Sequence, residues 1–309
     1  MKLWKYIITA AIGIGLLAGT LLTASTGLAE EDLACYEQAV SLQSRMDGGG
    51  FPGFLLTDYP VAFCDGKHDY VLVSNGMGYD VIKRPPVMET MAATAWEVDG
   101  HYEVIAPTKA LMEHLITLMG GSYDTNAQAA VIWHEAFHCW QLTEYADNIA
   151  ALTGEHSFEE EDYGESMILE QCDKNPEAVY LFEQQLDLLS DAIRTKDIDK
   201  VREDIVKYQE LEAKRNAMLD DTVRGLEEYY TIVEGSAHYI EANACRLQDE
   251  QSYQEQYIDS IPFYIEGSGK YYTLGMAQCL LLDRLDENWK TDYDFSGSLM
   301  ELIYEKLGV

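Results

Sequence analysis

Two long segments in the second half of the chain place apolar residues at the spacing of an amphipathic helix. They cover residues 176–195 and 197–218, and the short polar link Thr195-Lys196-Asp197 separates them. Apolar residues that recur every three or four positions form one face of a helix, which then packs against a neighbour. The pattern predicts a helical hairpin, and we interpret residues 172–225 as an insertion that contains it.

Short runs of alternating apolar and polar residues in the first third of the chain predict strands. The runs form two pairs, residues 69–74 with 77–82 and residues 92–98 with 101–105. Asn75-Gly76 joins the first pair and Asp99-Gly100 joins the second, and both dipeptides favour tight turns. We therefore expect two small antiparallel hairpins. The second is a candidate edge for an extended substrate, although an ordinary structural role explains it equally well.

Residues 129–141 form a third segment, which is apolar around most of a helical circumference and contains His134-Glu135-Ala136-Phe137-His138. Positions i and i+4 lie one turn apart, so both imidazoles can reach one Zn²⁺ ion. Glu135 then lies beside the metal-activated water, in the position of a general base. The alternative is a buried helix with two hydrogen-bonded histidines. We favour the metal, because polar groups buried without partners are costly.

A catalytic zinc usually has three protein ligands, so a further ligand is expected on another helix. Residues 229–242 are helical by pattern, and Glu234, His238 and Glu241 fall on one face of that helix at i, i+4 and i+7. Gly235 is small, as close packing of two helices requires. Glu234 is the best candidate for the ligand. The weaker alternatives are Glu170, Glu227 and Glu228.

The two histidine motifs together resemble the gluzincin group of the zincin metallopeptidases. In that group an H-E-x-x-H helix is followed by an E-G-x-A motif, which Glu234-Gly235-Ser236-Ala237 matches here. The resemblance implies that His134, His138 and Glu234 bind zinc and that Glu135 is the catalytic base. It covers two short helices. No H-x-x-G-x-x-H extension follows His138, which excludes the metzincin subtype.

Two further residues are candidates for stabilising negative charge on a substrate oxygen. His238 could bind the metal, hold Glu234 by a hydrogen bond or donate to the developing oxyanion, and a surface or capping role is the alternative. Tyr272 follows a glycine-rich turn, and Tyr272-Thr273-Leu274-Gly275 matches a Y-x-x-G pattern of related families. Since the chain contains 21 tyrosines, chance placement is a strong alternative. The neighbouring Tyr271 is the weaker candidate.

The first 29 residues have the pattern of a secretory signal peptide. Lys2 and Lys5 precede an apolar run over residues 7–22, and small residues lead to Ala29, where cleavage is expected. An uncleaved membrane anchor is the alternative, because the apolar run is long for a signal peptide. The sequence predicts a secreted or cell-envelope protein, which contacts a membrane only if this segment is uncleaved.

The charge and the cysteines narrow the class of protein. A net charge of −33 repels phosphate backbones, so nucleic-acid binding is excluded as a function. Six cysteines in an exported chain allow up to three disulfides, in fifteen possible pairings. Their spacing does not match a C-x-x-C metal site. We expect cross-links without assigning their connectivity.

These observations lead to one overall hypothesis. The fold is expected to be α+β and predominantly α-helical, zincin-like, with an N-terminal α/β subdomain over residues 30–120 and a helical metal-site subdomain over residues 121–309. The function is expected to be that of an exported zinc-dependent hydrolase, a peptidase that acts on peptide or protein substrates. The alternative is a secreted or surface binding protein on a catalytically inactive zincin scaffold.

Overall fold

The fold is described from a computed structural model and is α+β and predominantly helical, as the sequence predicts. The structure describes residues 27–46, 50–76, 78–118, 123–153 and 161–309. The chain divides into two compact units, one ending at Thr143 and one spanning Glu144–Val309. Most of the predicted signal peptide, residues 1–26, lies outside the described residues. Among the described helices, none has the length and hydropathy needed to span a bilayer.

The first unit combines a small sheet with helices. Its described helices are α1 (Glu30–Ser41), α2 (Gln43–Met46), α3 (Lys109–Leu118) and α4 (Thr125–Glu144). Its described strands are β1 (Val61–Cys64), β2 (Asp69–Ser74), β3 (Tyr79–Arg84), β4 (Thr94–Val98) and β5 (His101–Pro107). The helix that carries H-E-x-x-H is α4, so it belongs to the same unit as the sheet.

The sheet contains both predicted hairpins and one strand that the sequence pattern did not predict. The strand order is β3-β2-β1-β5-β4, with antiparallel pairing of β2 with β3 and of β4 with β5. The unexpected strand is β1, which pairs with β2 antiparallel and with β5 parallel. All four residues of β1 are buried, so its sequence does not alternate in polarity. The sheet is therefore mixed. Both predicted antiparallel hairpins are confirmed, and the parallel pairing of β1 with β5 was not predicted.

Aromatic packing holds α4 within the first unit. The indole of Trp133 donates a hydrogen bond of 2.9 Å to the carbonyl oxygen of Ala39 on α1. The rings of Phe51 and Phe54 lie 5.0 and 5.2 Å from that of Phe137, centroid to centroid. At its start, the carboxylate of Asp124 accepts the backbone N–H of Asn126 at 2.8 Å and caps the helix. These contacts fix the rotation of α4, which decides where its histidines point.

Asp32 joins α1 to the start of α3 through a buried carboxyl group. It accepts the backbone N–H of Lys109 at 2.6 Å. Burial raises the pKa of Asp32 to about 6 against the hydrogen bond from Lys109, and the neighbouring Glu31 adds to the rise. Because the folded pKa lies above the unfolded value of 3.8, this group stabilises the fold fully below the unfolded pKa. The contribution is lost as the pH rises through the folded pKa.

We expect Asp32→Asn to raise the free energy of unfolding by about 2 kcal/mol at pH 8 and to change it little at pH 4. Asparagine keeps the oxygen that accepts from Lys109 and carries no charge to bury. Urea denaturation at the two pH values measures the difference. Asp80→Asn, at an exposed position on β3, is the matched control and should have little effect at either pH. An equal gain in the free energy of unfolding from Asp32→Asn at both pH values would contradict the role given to the buried carboxyl group.

The second unit is helical in its described part. Its helices are α5 (Ala146–Thr153), α6 (Glu161–Ile168), α7 (Pro176–Arg194), α8 (Ile198–Asn216), α9 (Asp221–Gln248), α10 (Glu250–Tyr253), α11 (Gly269–Leu285) and α12 (Leu299–Leu307). The predicted helical hairpin is confirmed as α7 and α8. The side chains of Asn175 and Asp197 cap these two helices by accepting backbone N–H groups of their first turns.

Two helices of the second unit, α9 and α11, make a close backbone contact where Gly235 faces Gly275. A Cβ atom placed on Gly235 would lie 2.5 Å from the Cα atom of Gly275, inside any normal contact distance. A Cβ atom on Gly275 would likewise overlap the carbonyl oxygen of Thr231 on α9. The two backbones therefore touch, and only glycine fits at either position. This contact sets the register between the helix of Glu234 and the helix of Tyr272.

The sequence predicts cross-links between the six cysteines, and the structure contradicts this prediction. All six lie within the described residues, all are buried, and no disulfide joins any two of them there. Burial raises the pKa of the Cys35 and Cys172 thiols to about 12. They behave as small apolar side chains in the two cores.

Candidate metal centre

The histidine pair of α4 has the geometry that the sequence predicts. His134 and His138 are both buried, and their Nε2 atoms lie 3.1 Å apart. The ring centroids are 4.8 Å apart and the rings stand nearly perpendicular, at 77°. One helical turn separates the two residues, so both nitrogens converge on the same point beside the helix.

Gln141 fixes the orientation of the second imidazole and was not predicted as part of the site. Its Oε1 atom lies 2.8 Å from Nδ1 of His138 and is fully buried. An amide oxygen can only accept, so Nδ1 donates and Nε2 carries the lone pair. Metal-binding histidines are usually held in this way by a second hydrogen bond. The available signal was a glutamine three residues after His138 in an otherwise apolar helix.

Glu135 and Cys139 follow the two histidines on α4. Glu135 is partly buried, whereas Cys139 is fully buried. Burial raises the pKa of the Cys139 thiol well above its usual value, and the carboxylates of Glu135 and Glu103 raise it further. Cys139 therefore stays protonated and is a poor metal ligand, since metals bind the thiolate. Glu135 remains the acid that accompanies the histidine pair.

The other predicted site residues lie in the second unit, on α9 and α11. Glu234 and His238 lie one turn apart on α9, and both are partly buried. Nδ1 of His238 lies 2.9 Å from Oε2 of Glu241, and the hydroxyl of Tyr257 donates to Oε1 of Glu241 at 2.9 Å. Glu241 is itself buried. The carboxylate of Glu241 thus holds the His238 ring and leaves its Nε2 edge directed away from Glu241.

Tyr272 lies near His238, whereas Tyr271 belongs to a separate buried cluster. The ring centroids of His238 and Tyr272 are 6.3 Å apart, and Tyr272 is partly buried. Tyr271 is fully buried and donates its hydroxyl hydrogen to Glu227. Of the two tyrosines, Tyr272 is therefore the one that accompanies His238.

The alternative third ligands are committed to other interactions. Glu227 forms a buried ion pair with Arg215 at 2.6 Å. Glu170 forms an exposed ion pair with Lys174, also at 2.6 Å. Glu228 lines a cavity elsewhere in the second unit. The preference for Glu234 over these acids continues to rest on its match to the E-G-x-A motif.

No protein-family model matches this sequence, and neither a curated protein nor a solved structure matches it significantly.

Proposed function

We propose that this chain is an exported zinc-dependent peptidase whose metal is held by His134, His138 and Glu234. The observation that carries the proposal is the buried histidine pair of α4, whose Nε2 atoms lie 3.1 Å apart. The peptide substrate and the zincin-like fold rest on the resemblance to gluzincins. Export, to the cell envelope or the medium, rests on the predicted signal peptide over residues 1–29.

The distance between the two histidine nitrogens fits a shared zinc ion. Two nitrogens bound to one tetrahedral zinc at about 2.0–2.1 Å lie about 3.3 Å apart. The observed separation of 3.1 Å is close to that value. A direct hydrogen bond between two neutral imidazoles would also suit this distance, so metal analysis must distinguish the two.

The chemistry of the donors supports zinc as the metal. His134, His138 and Glu234 each offer one ligand atom, two nitrogens and one carboxylate oxygen. Catalytic zinc sites use this mixture of donors and keep a fourth position for water or substrate. His238 and Glu241 are not ligands in this proposal, because Glu241 already holds the His238 ring.

Glu135 is the general base in this proposal. When bound, zinc acidifies a water molecule and polarises the carbonyl that the water attacks. Glu135 takes the proton from the attacking water and passes it to the leaving amine. It follows His134 directly in the sequence, so its carboxylate accompanies the metal-binding pair without being needed as a ligand.

His238 and Tyr272 hold the substrate oxygen on which negative charge develops. Both are hydrogen-bond donors, and a donor aimed at this oxygen stabilises the transition state more than the substrate. Glu241 orients the His238 ring through Nδ1, so that the opposite edge, which carries Nε2, would face the substrate oxygen. Tyr257 supports Glu241 in turn.

The β4 strand is the proposed support for the substrate backbone. It is an edge strand of the sheet and belongs to the same unit as α4. An extended peptide can add to such an edge by main-chain hydrogen bonds, which tolerate varied side chains. Trp96 on this strand is 46% exposed and can cover part of such a peptide.

The proposal is tested by zinc content and affinity in the purified protein. We expect about one zinc ion per chain and hydrolysis of a mixed peptide library that a chelator abolishes. Glu234→Gln should weaken zinc binding by at least about tenfold, because a neutral amide replaces a carboxylate ligand. Competition with a zinc-sensitive dye measures the affinity.

Glu250→Gln is the control for this experiment, since Glu250 is exposed and lies just after the end of α9. It should bind zinc as the natural protein does. Unchanged affinity in Glu234→Gln would show that Glu234 is not the third ligand. A natural protein without zinc at any concentration tested would refute the metal and favour the alternative, a binding protein.

A further inference from the structure

The second unit contains a cavity of about 360 Å³ whose walls are provided by α8, α9, α11 and α12. Its lining includes Glu212, Arg215, Glu228, Gln278 and Met300. The cavity lies wholly within this unit, and none of its lining residues belongs to the proposed zinc site. Its volume is about ten times that of a water molecule, so it has room for a small organic molecule.

Acidic groups dominate the charge of this cavity. Two arginines also line the cavity, and each is paired with an acid: Arg215 with Glu227 at 2.6 Å, and Arg224 with Asp221. These paired charges offset each other. Glu212 and Glu228 instead accept hydrogen bonds from neutral hydroxyl groups, those of Tyr304 and Ser298. Burial raises the pKa of Glu228 to about 7, and the nearby carboxylates of Glu212 and Glu227 contribute to the rise. Burial likewise raises the pKa of Glu212. A cation in the cavity would offset the unfavourable burial of both carboxylates.

Gln278 provides an independent indication of a missing donor. Its side chain is only 2% exposed and lines the cavity. Its amide donates a hydrogen bond to the oxygen of Tyr208, whereas its Oε1 atom has no hydrogen-bond partner among the described residues. Buried amide oxygens are nearly always hydrogen-bonded, so this oxygen is expected to accept from a bound molecule.

We propose that this cavity binds a small organic cation, with a guanidinium or primary ammonium group held by Glu228, Glu212 and Oε1 of Gln278. Each of these groups accepts hydrogen bonds, and a guanidinium or ammonium group consists only of donors. The side chains of Leu274 and Met300 supply apolar wall for a short carbon chain. A bare metal ion suits the cavity less well. Within the described part of the chain, the carboxylates of Glu212, Glu227 and Glu228 are not close enough together to share one.

The probe for this site is n-butylguanidinium, which stays protonated and offers no lone pair to zinc. Isothermal titration of the full, zinc-loaded protein should show one saturable site, while n-butanol, its neutral counterpart, should not bind. Glu228→Gln should weaken binding of the probe by about tenfold, the effect of one charge-assisted hydrogen bond. Glu210→Gln is the matched control, since Glu210 is an exposed glutamate on α8.

Glu228→Gln should remain folded, because it removes a buried charge, and its thermal midpoint verifies this. The proposal is overturned by the absence of saturable binding at about 10 mM probe, an affinity too weak for a built site. Equal affinity for butanol, or equal affinity of the Glu228→Gln and natural proteins for the probe, also overturns it. Stoichiometric calcium binding that Glu228→Gln abolishes would replace the organic cation with a metal.

Discussion

Glu135→Gln is expected to lower kcat for peptide hydrolysis by about 10²–10⁴-fold, the usual contribution of a general base. Glutamine has nearly the same shape as glutamate but cannot accept the proton of the attacking water. Zinc content should not change, because Glu135 is not one of the proposed ligands. Single-turnover rates on one defined peptide, together with zinc measured on the same sample, separate the two properties.

Glu144→Gln provides the matched control for Glu135→Gln. It makes the same substitution on the same helix, at an exposed position at the end of α4. Its rate and its zinc content should equal those of the natural protein. A fully active Glu135→Gln variant that retains zinc would refute Glu135 as the base. Loss of zinc from that variant would instead give Glu135 a role in holding the metal.

The helices were predictable where one local pattern determines them. The apolar period of residues 176–218 predicts α7 and α8 almost to their ends, because each helix buries one continuous face and has a polar cap before it. The spacing of His134 and His138 likewise predicts that their nitrogens converge, since one helical turn fixes that distance. Both results depend on residues close together in sequence.

Features that depend on distant residues were not predictable from local patterns. The strand β1 is short and buried, and only its pairing with β2 and β5 identifies it as a strand. Whether any two of the six cysteines can form a disulfide depends on where the fold places each one. Gln141 is an ordinary glutamine until its oxygen is seen beside Nδ1 of His138. Such contacts depend on how a helix or strand is oriented and on which elements lie beside it. The periodicity of a sequence specifies neither.

The contact between α9 and α11 is partly predictable from a local pattern and partly dependent on distant residues. Small residues around Gly235 indicate close helix packing, but the sequence does not say which residue they meet. The structure identifies the partner as Gly275, which is also the last residue of the Y-x-x-G pattern. The contact therefore holds His238 and Tyr272, the two proposed donors to the substrate oxygen, on helices whose separation cannot increase without loss of packing.

We expect Gly275→Ala to lower the free energy of unfolding by about 3 kcal/mol or more, at the upper end of the range for overpacked cores. The added Cβ atom would overlap the carbonyl oxygen of Thr231 and would lie 2.7 Å from the Cα atom of Gly235. Both obstacles are backbone atoms, which cannot move aside as a flexible side chain can. Urea denaturation followed by circular dichroism measures the loss.

Gly225→Ala on α9 is the control that separates this clash from the general effect of alanine in a helix. The nearest atom to a Cβ at Gly225 is a carbonyl oxygen at 3.7 Å, which is ordinary van der Waals contact. Alanine favours a helix interior by about 0.5–1 kcal/mol over glycine, so Gly225→Ala should be neutral or stabilising. If the free energy of unfolding falls for Gly275→Ala and rises for Gly225→Ala, backbone contact is established as the reason for glycine at position 275. A gain in stability from Gly275→Ala would show that α9 and α11 do not touch at this point.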